Sequence, residues 1–99
     1  MNRIRWTPEA AADLEAIRDF IGRDSPHYAA AVVAQILGAI DQLELFLRSG
    51  RVVPELQRDD VRELIQGPYR IVYRVLPDDI AHILVVFRAS RPLPQLPDA

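Results

Sequence analysis

Val61-Arg62-Glu63-Leu64-Ile65-Gln66-Gly67-Pro68-Tyr69-Arg70-Ile71-Val72-Tyr73-Arg74-Val75-Leu76 is the stretch that decides the fold. It reads as two strands joined by a tight connection. Gln66-Gly67-Pro68 is the break, because glycine permits unusual dihedrals and proline removes a ladder donor. The second run is rich in β-branched and aromatic residues, which suit a pleated surface. Side chains alternate along a strand. Tyr69, Ile71, Tyr73 and Val75 therefore share one face, and Arg70, Val72, Arg74 and Leu76 share the other. Two arginines four apart on one face give a cationic ridge. The same spacing also fits a half-solvated face whose arginine stems cover apolar surface.

On the C-terminal side, Pro77-Asp78-Asp79 is a turn. Ile80 to Phe87 is the most apolar strand and is expected to be central. Pro92, Pro94 and Pro97 deny the tail a regular ladder. On the N-terminal side, residues 51–60 form a polar connector with Pro54 and Asp59-Asp60. Before it lies a helix from the Asp24-Ser25-Pro26 start to about Leu47. Ala29, Val32, Val33, Ile36, Ile40, Leu43 and Leu47 keep helical spacing along it. An earlier helix opens at Thr7-Pro8-Glu9, where threonine caps and proline is tolerated at the first position. Ala10, Leu14, Ile17 and Ile21 make its apolar face, and Gly22 ends it. Arg3 to Trp6 is a first short strand.

Helices first, and then strands without helical crossovers, predict an α+β fold in the order β-α-α-β-β-β. A helical hairpin packs on one face of an antiparallel sheet, and the other face is left for a partner. Leu14, Ile17, Val33, Ile36, Ile40, Ile71, Tyr73, Ile83 and Val85 are the expected core. Ninety-nine residues make one domain, 1–99.

All twelve basic side chains are arginine, so no lysine is present to act as a base. Residues 1–47 carry four arginines against seven acids. Residues 48–99 carry eight against seven, and the net charge is −2. That balance argues against holding nucleic acid by bulk charge. The chain has no cysteine, hence no disulfide and no thiolate metal site. His27 and His82 are far apart, with no acid at metal-ligand spacing, and read as one surface and one strand-lining residue. Asp59-Asp60 and Asp78-Asp79 read as solvated turn residues, and Trp6 as core. No apolar run is long enough for a membrane span and no signal-peptide core follows Arg3 and Arg5, so the expected location is the cytoplasm.

Arg62-Glu63-Leu64 followed by Gly67-Pro68-Tyr69-Arg70-Ile71-Val72-Tyr73-Arg74-Val75 resembles the sheet signature of the ParE/RelE superfamily, toxins of type II toxin–antitoxin systems. Trp6-Thr7-Pro8 with Ala11 and Asp13-Leu14, Ser25-Pro26 before an alanine-rich helix, Gly50-Arg51-Val52-Val53-Pro54-Glu55, and Ile83-Leu84-Val85-Val86 with Arg91 match in the same order. The ParE-like form is the better match, although it usually carries a histidine near Arg88.

The resemblance implies a toxin that binds and inhibits DNA gyrase, as in plasmid stabilisation. It also implies a cognate ParD-like antitoxin as partner in a hetero-oligomer, contact with DNA only through that antitoxin, and no membrane partner, cofactor or metal. Arg62, Arg70, Arg74, Arg88 and Arg91 are the candidate target- and antitoxin-binding residues, with the tail from Pro92 to Ala99 beside them. Two alternatives stay open: a RelE-type ribosome-dependent mRNA interferase, and an inactive homologue that only binds antitoxin as co-repressor. Cleaving RNA requires a group to take the 2′-hydroxyl proton and another to protonate the leaving oxygen. Arginine does neither readily, Glu63 is the one acid at a matching sheet position, and Tyr69 and Tyr73 lie on the face opposite Arg70. The expectation is therefore that the protein is not an enzyme.

Overall fold

The computed structural model describes residues 1–97. They fold as β1 (Arg3–Trp6), α1 (Pro8–Gly22), α2 (Pro26–Asp41), a 3-10 turn (Gln42–Glu44), β2 (Arg51–Val52), β3 (Val61–Gln66), β4 (Tyr69–Leu76) and β5 (Ile80–Arg88). The strands form one sheet in the order β1-β5-β4-β3-β2, and the helical hairpin packs on one face of it. This is the α+β class expected from the sequence.

The helix starts are built as the sequence indicates. Thr7 Oγ1 accepts from the Ala10 N–H at 3.0 Å and Ser25 Oγ from the Tyr28 N–H at 3.1 Å, each just before a proline. The β3–β4 connection turns at Gly67, whose φ of 56° suits glycine. Period-two alternation holds in β4: Tyr69, Ile71 and Tyr73 join Ala10, Ile36, Ile40 and Leu43 in the core beneath the helices, while Val72 faces the other way. Of the expected core residues, Ile36, Ile40, Ile71, Tyr73, Ile83 and Val85 are buried, whereas Leu14, Ile17 and Val33 are half-buried.

Five expectations are corrected, the last of them in the covering of the outer sheet face. The sheet is mixed, because β1 runs parallel to β5, with Arg3 opposite Ile80 and Trp6 opposite Ile83. The second helix stops at Asp41 and not near Leu47. Beyond it, Asn2 Nδ2 donates to the Leu43 carbonyl at 3.1 Å and the Asn2 N–H to the Glu44 carbonyl at 2.8 Å, occupying acceptors that further helical turns would use. The most apolar strand, β5, is not the middle one. That place goes to β4, which is flanked along its length by β3 and β5. Residues 51–60, too, are more than a polar connector: they contain β2, and Val53 is wholly buried.

Nor is the outer face of the sheet left bare. Val53, Val61, Val72, Leu84 and Val85 form a second small core there. Leu56 from the connector and Leu93 and Leu96 from the tail pack against it. Through residue 97 the proline-rich segment forms no strand, but its leucines still cover apolar surface.

Candidate functional site

The five candidate arginines do not form one ridge. Strand alternation puts Arg70 and Arg74 on the outer face and Arg62 and Arg88 on the helix side. Arg62 holds the chain together locally. Its guanidinium donates to Asp59 Oδ1 at 2.8 Å and to the carbonyls of Gly50 at 2.9 Å and Arg48 at 3.2 Å. Arg74 Nε pairs with Asp60 at 3.1 Å. Asp59 and Asp60 are thus not free turn carboxylates, since Arg48 also reaches Asp59 and Arg58 reaches Asp60. The hydrogen bond from Arg58, aided by Arg74, lowers the Asp60 pKa.

Among the described residues, Arg70 alone of the set pairs with two carboxylates. Its two terminal nitrogens each donate to Glu55 at 2.8 Å, and its Nε donates to Glu63 Oε1 at 2.6 Å. Arg51 Nε takes the other Glu63 oxygen at 2.6 Å. The Glu63 side chain is wholly buried. The Arg70 guanidinium also lies 5.1 Å from the centre of the Phe87 ring, a cation–π distance. Hydrogen bonding from Arg70 holds the Glu55 carboxyl down at about 2, and the pairing with Glu55 raises the Arg70 pKa further. An arginine with both faces of its charge answered by carboxylates offers little to a partner.

Arg88 and Arg91 are different. Among the described residues neither has a carboxylate partner. Arg88 lies over the Tyr69 ring at 5.7 Å. Both line a groove of about 600 Å³ between α1 and the end of β5, with Asp13, Ile17, Phe20, Tyr69 and Val86. Phe20 is 68% exposed, a large aromatic surface beside two uncompensated cations. The tail leaves from this point as far as residue 97, and residues 98–99 of the candidate tail lie outside the described residues.

Asp13, not among the sequence candidates, belongs to this groove. Its Oδ2 accepts from the Val86 backbone N–H at 2.9 Å. Burial pushes its pKa up, partly offset by that hydrogen bond. The signal was its position three after Ala10 and four before Ile17, on the apolar face of α1. Glu55, Phe20 and the buried hydroxyl of Tyr73 were equally unmarked. The Tyr73 hydroxyl donates to the Leu47 carbonyl at 2.9 Å and accepts from the Gly50 N–H at 3.0 Å, and burial raises its pKa. His27 is exposed and His82 half-buried on β5, whereas Trp6 packs on the core beneath the helices.

The architecture defines a small α+β protein with a locked outer sheet face and an open, cationic, aromatic groove at one sheet edge, a surface suited to gripping another macromolecule. Residues 4–93 match the family model described as ParE toxin of type II toxin–antitoxin system, parDE. The chain belongs to this ParE toxin family. It is 34% identical over 91 residues to Toxin RelE2 of Caulobacter vibrioides, covering 92% of this chain and 99% of that one. Its fold is similar to a chromosomal ParDE system from P. aeruginosa, with a TM-score of 0.72, 28% identity, and coverage of 89% of this chain and 96% of that chain. It is also similar to the toxin–antitoxin complex RelBE2 from Mycobacterium tuberculosis, with a TM-score of 0.57, 26% identity, and coverage of 88% and 96%. Among the described residues, no helix is long and apolar enough to cross a membrane.

Proposed function

We propose that this toxin acts by binding DNA gyrase, without chemistry of its own, and is neutralised by a ParD-like antitoxin. The observation that carries the reading is Glu63. It is the sheet acid available to an RNA-cleaving mechanism, and it is buried with both oxygens held by guanidinium groups. A general base must reach the proton that it takes, and Glu63 does not reach solvent. Tyr73 is equally committed, to Leu47 and Gly50. The family match over residues 4–93 and the higher structural similarity to a ParDE system than to RelBE2 support the same reading.

Arg88 and Arg91, with Phe20, are the anchors in this proposal, since arginine and aromatic side chains dominate interface hot spots. The test is a titration of gyrase supercoiling against purified toxin. Arg91→Ala raises the inhibitory concentration about thirtyfold, the affinity equivalent of a hot-spot loss of ~2 kcal/mol. Toxin that leaves supercoiling untouched at micromolar concentration removes gyrase as the target.

The RelE-type interferase is the second reading, favoured by the 34% identity to Toxin RelE2. Ribosome-dependent cleavage of message by the purified wild-type chain would establish it. Growth unaffected by expression of the chain alone would leave the co-repressor role.

A further inference from the structure

The groove of about 600 Å³ lined by Arg88 and Arg91 is one of two hollows that meet at the same end of the molecule. The other, of about 240 Å³, lies between the two helices and the β3–β4 turn. Phe20, Tyr69 and Arg88 line both. Tyr28, Gln35 and Gln66 line only the smaller one among these two.

The two hollows differ in chemistry. The smaller carries two aromatic rings that reach solvent, Phe20 and Tyr28. Its amide residues, Gln35 and Gln66, can each donate and accept. Rings with amides beside them suit a flat heterocycle, which stacks by its face and hydrogen-bonds by its edge. The larger hollow is cationic. Among the described residues Arg88 and Arg91 have no carboxylate partner, and neither has Arg23 at the C-terminal end of α1. Arg23 lies 5.9 Å from the centre of the Phe20 ring, so cations flank the aromatic surface on both sides. The acid of this hollow, Asp13, is already engaged with the Val86 N–H, and Glu9 lines the adjoining hollow with Arg91. Arginine meets phosphate with paired donors. The larger hollow also falls in the size range of small-molecule sites, roughly 300–1,000 Å³.

We propose that the double hollow binds a free nucleoside 5′-phosphate. The base lies against Phe20 and Tyr28 within reach of Gln35 and Gln66, and the phosphate is held by Arg88 and Arg91. Tyr69, buried under Arg88, forms the wall that the two halves share. Such binding is a property of the chain alone and does not depend on the gyrase reading.

The experiment is isothermal titration of the full chain with AMP, GMP, adenosine and inorganic phosphate. A nucleotide is expected to bind with a Kd of about 100 μM or tighter. Adenosine and inorganic phosphate, each filling one hollow, are expected to bind at least about tenfold more weakly than AMP. Arg91→Ala should bring AMP close to adenosine while leaving adenosine unchanged. Phe20→Ala or Tyr28→Ala should weaken AMP and adenosine alike, by about fivefold or more. Arg5→Ala, exposed on β1 and outside both hollows, should change nothing. Absence of nucleotide binding at millimolar concentration overturns the proposal. Phosphate that binds as tightly as AMP reduces the site to an anion patch and also overturns it, as does an Arg5→Ala chain weakened as much as Arg91→Ala. A 5′-phosphorylated tetranucleotide that binds more than about tenfold tighter than AMP replaces the free nucleotide by the end of a nucleic-acid strand. Should a variant fail to fold, the comparison of AMP, adenosine and phosphate on the wild-type chain decides alone.

Discussion

Arg70 on β4 donates its Nε hydrogen to Glu63 on β3 at 2.6 Å, and the Glu63 side chain has no exposed surface. The pair ties the two strands across the outer face, and Glu55 and Arg51 complete it from the connector and β2. The charge that looked like a ridge for a partner is spent within the chain.

Breaking this pair from one side is therefore expensive. Glu63→Ala leaves Arg70 buried with half its compensation, and we expect a loss of about 3 kcal/mol. That is the low end for an orphaned buried charge, because Glu55 still holds the guanidinium. Arg70→Met combined with Glu63→Leu should lose less than Glu63→Ala alone. Urea denaturation of the variants measures both, and a double variant less stable than the single would contradict the account.

Acid should weaken the connector before the core. Glu55 has its pKa lowered to about 2 in the folded chain, from an ordinary 4.5. A depressed carboxylate stabilises the fold above its unfolded pKa, and the gain is lost as pH falls through the folded value. Stability attributable to Glu55 thus declines between about pH 4.5 and 2, by less than full linkage because water screens an exposed carboxylate. Asp13 works in the opposite sense: its raised pKa is a penalty on the charged form that protonation relieves. Melting temperature against pH should fall less steeply over this window for Glu55→Gln, and an unchanged slope would rule out the assignment.

Gly50 sits against Tyr73 with no room for a side chain. A Cβ there would lie 2.6 Å from the Glu63 carbonyl oxygen and 2.7 Å from the Tyr73 hydroxyl. Gly50→Ala should cost about 2 kcal/mol, as overpacking does. Tyr73→Phe leaves the buried Gly50 N–H without its acceptor and should cost ~1–3 kcal/mol. The two effects share one contact, so the double variant should lose less than their sum. Thermal melts of the three variants provide the check.

The tail and Arg91 should separate in their effects. Deleting residues 92–99 removes Leu93 and Leu96 from the outer core and should destabilise the fold by about 2 kcal/mol. Arg91→Ala removes an exposed side chain without an ion pair among the described residues and should leave the melting temperature within a degree or so. If gyrase is the target, as proposed, a supercoiling titration corrected for folded fraction then reports the contribution of Arg91 to binding it. An Arg91→Ala chain that melts early would make the residue structural.

Much of this was legible in the residues. Thr7-Pro8 and Ser25-Pro26 set both helix starts, Gly67-Pro68 set the turn, and alternation in Tyr69–Leu76 set which side of β4 faces the helices, because these are local rules of dihedral and period. The limits of α2 were not local: Asn2, forty residues away, takes the carbonyls on which the helix would have continued. The parallel docking of β1 on β5 was hidden for the same reason, since both strands satisfy their own pattern whatever their neighbour. The arginines show the division most clearly. Sequence placed Arg70 and Arg74 on one face, but a charge is defined functionally by what lies within a few ångströms of it. Only the folded chain brought Glu55 and Glu63 to Arg70, and Asp60 to Arg74, while leaving Arg88 and Arg91 uncompensated in the groove that Asp13 lines.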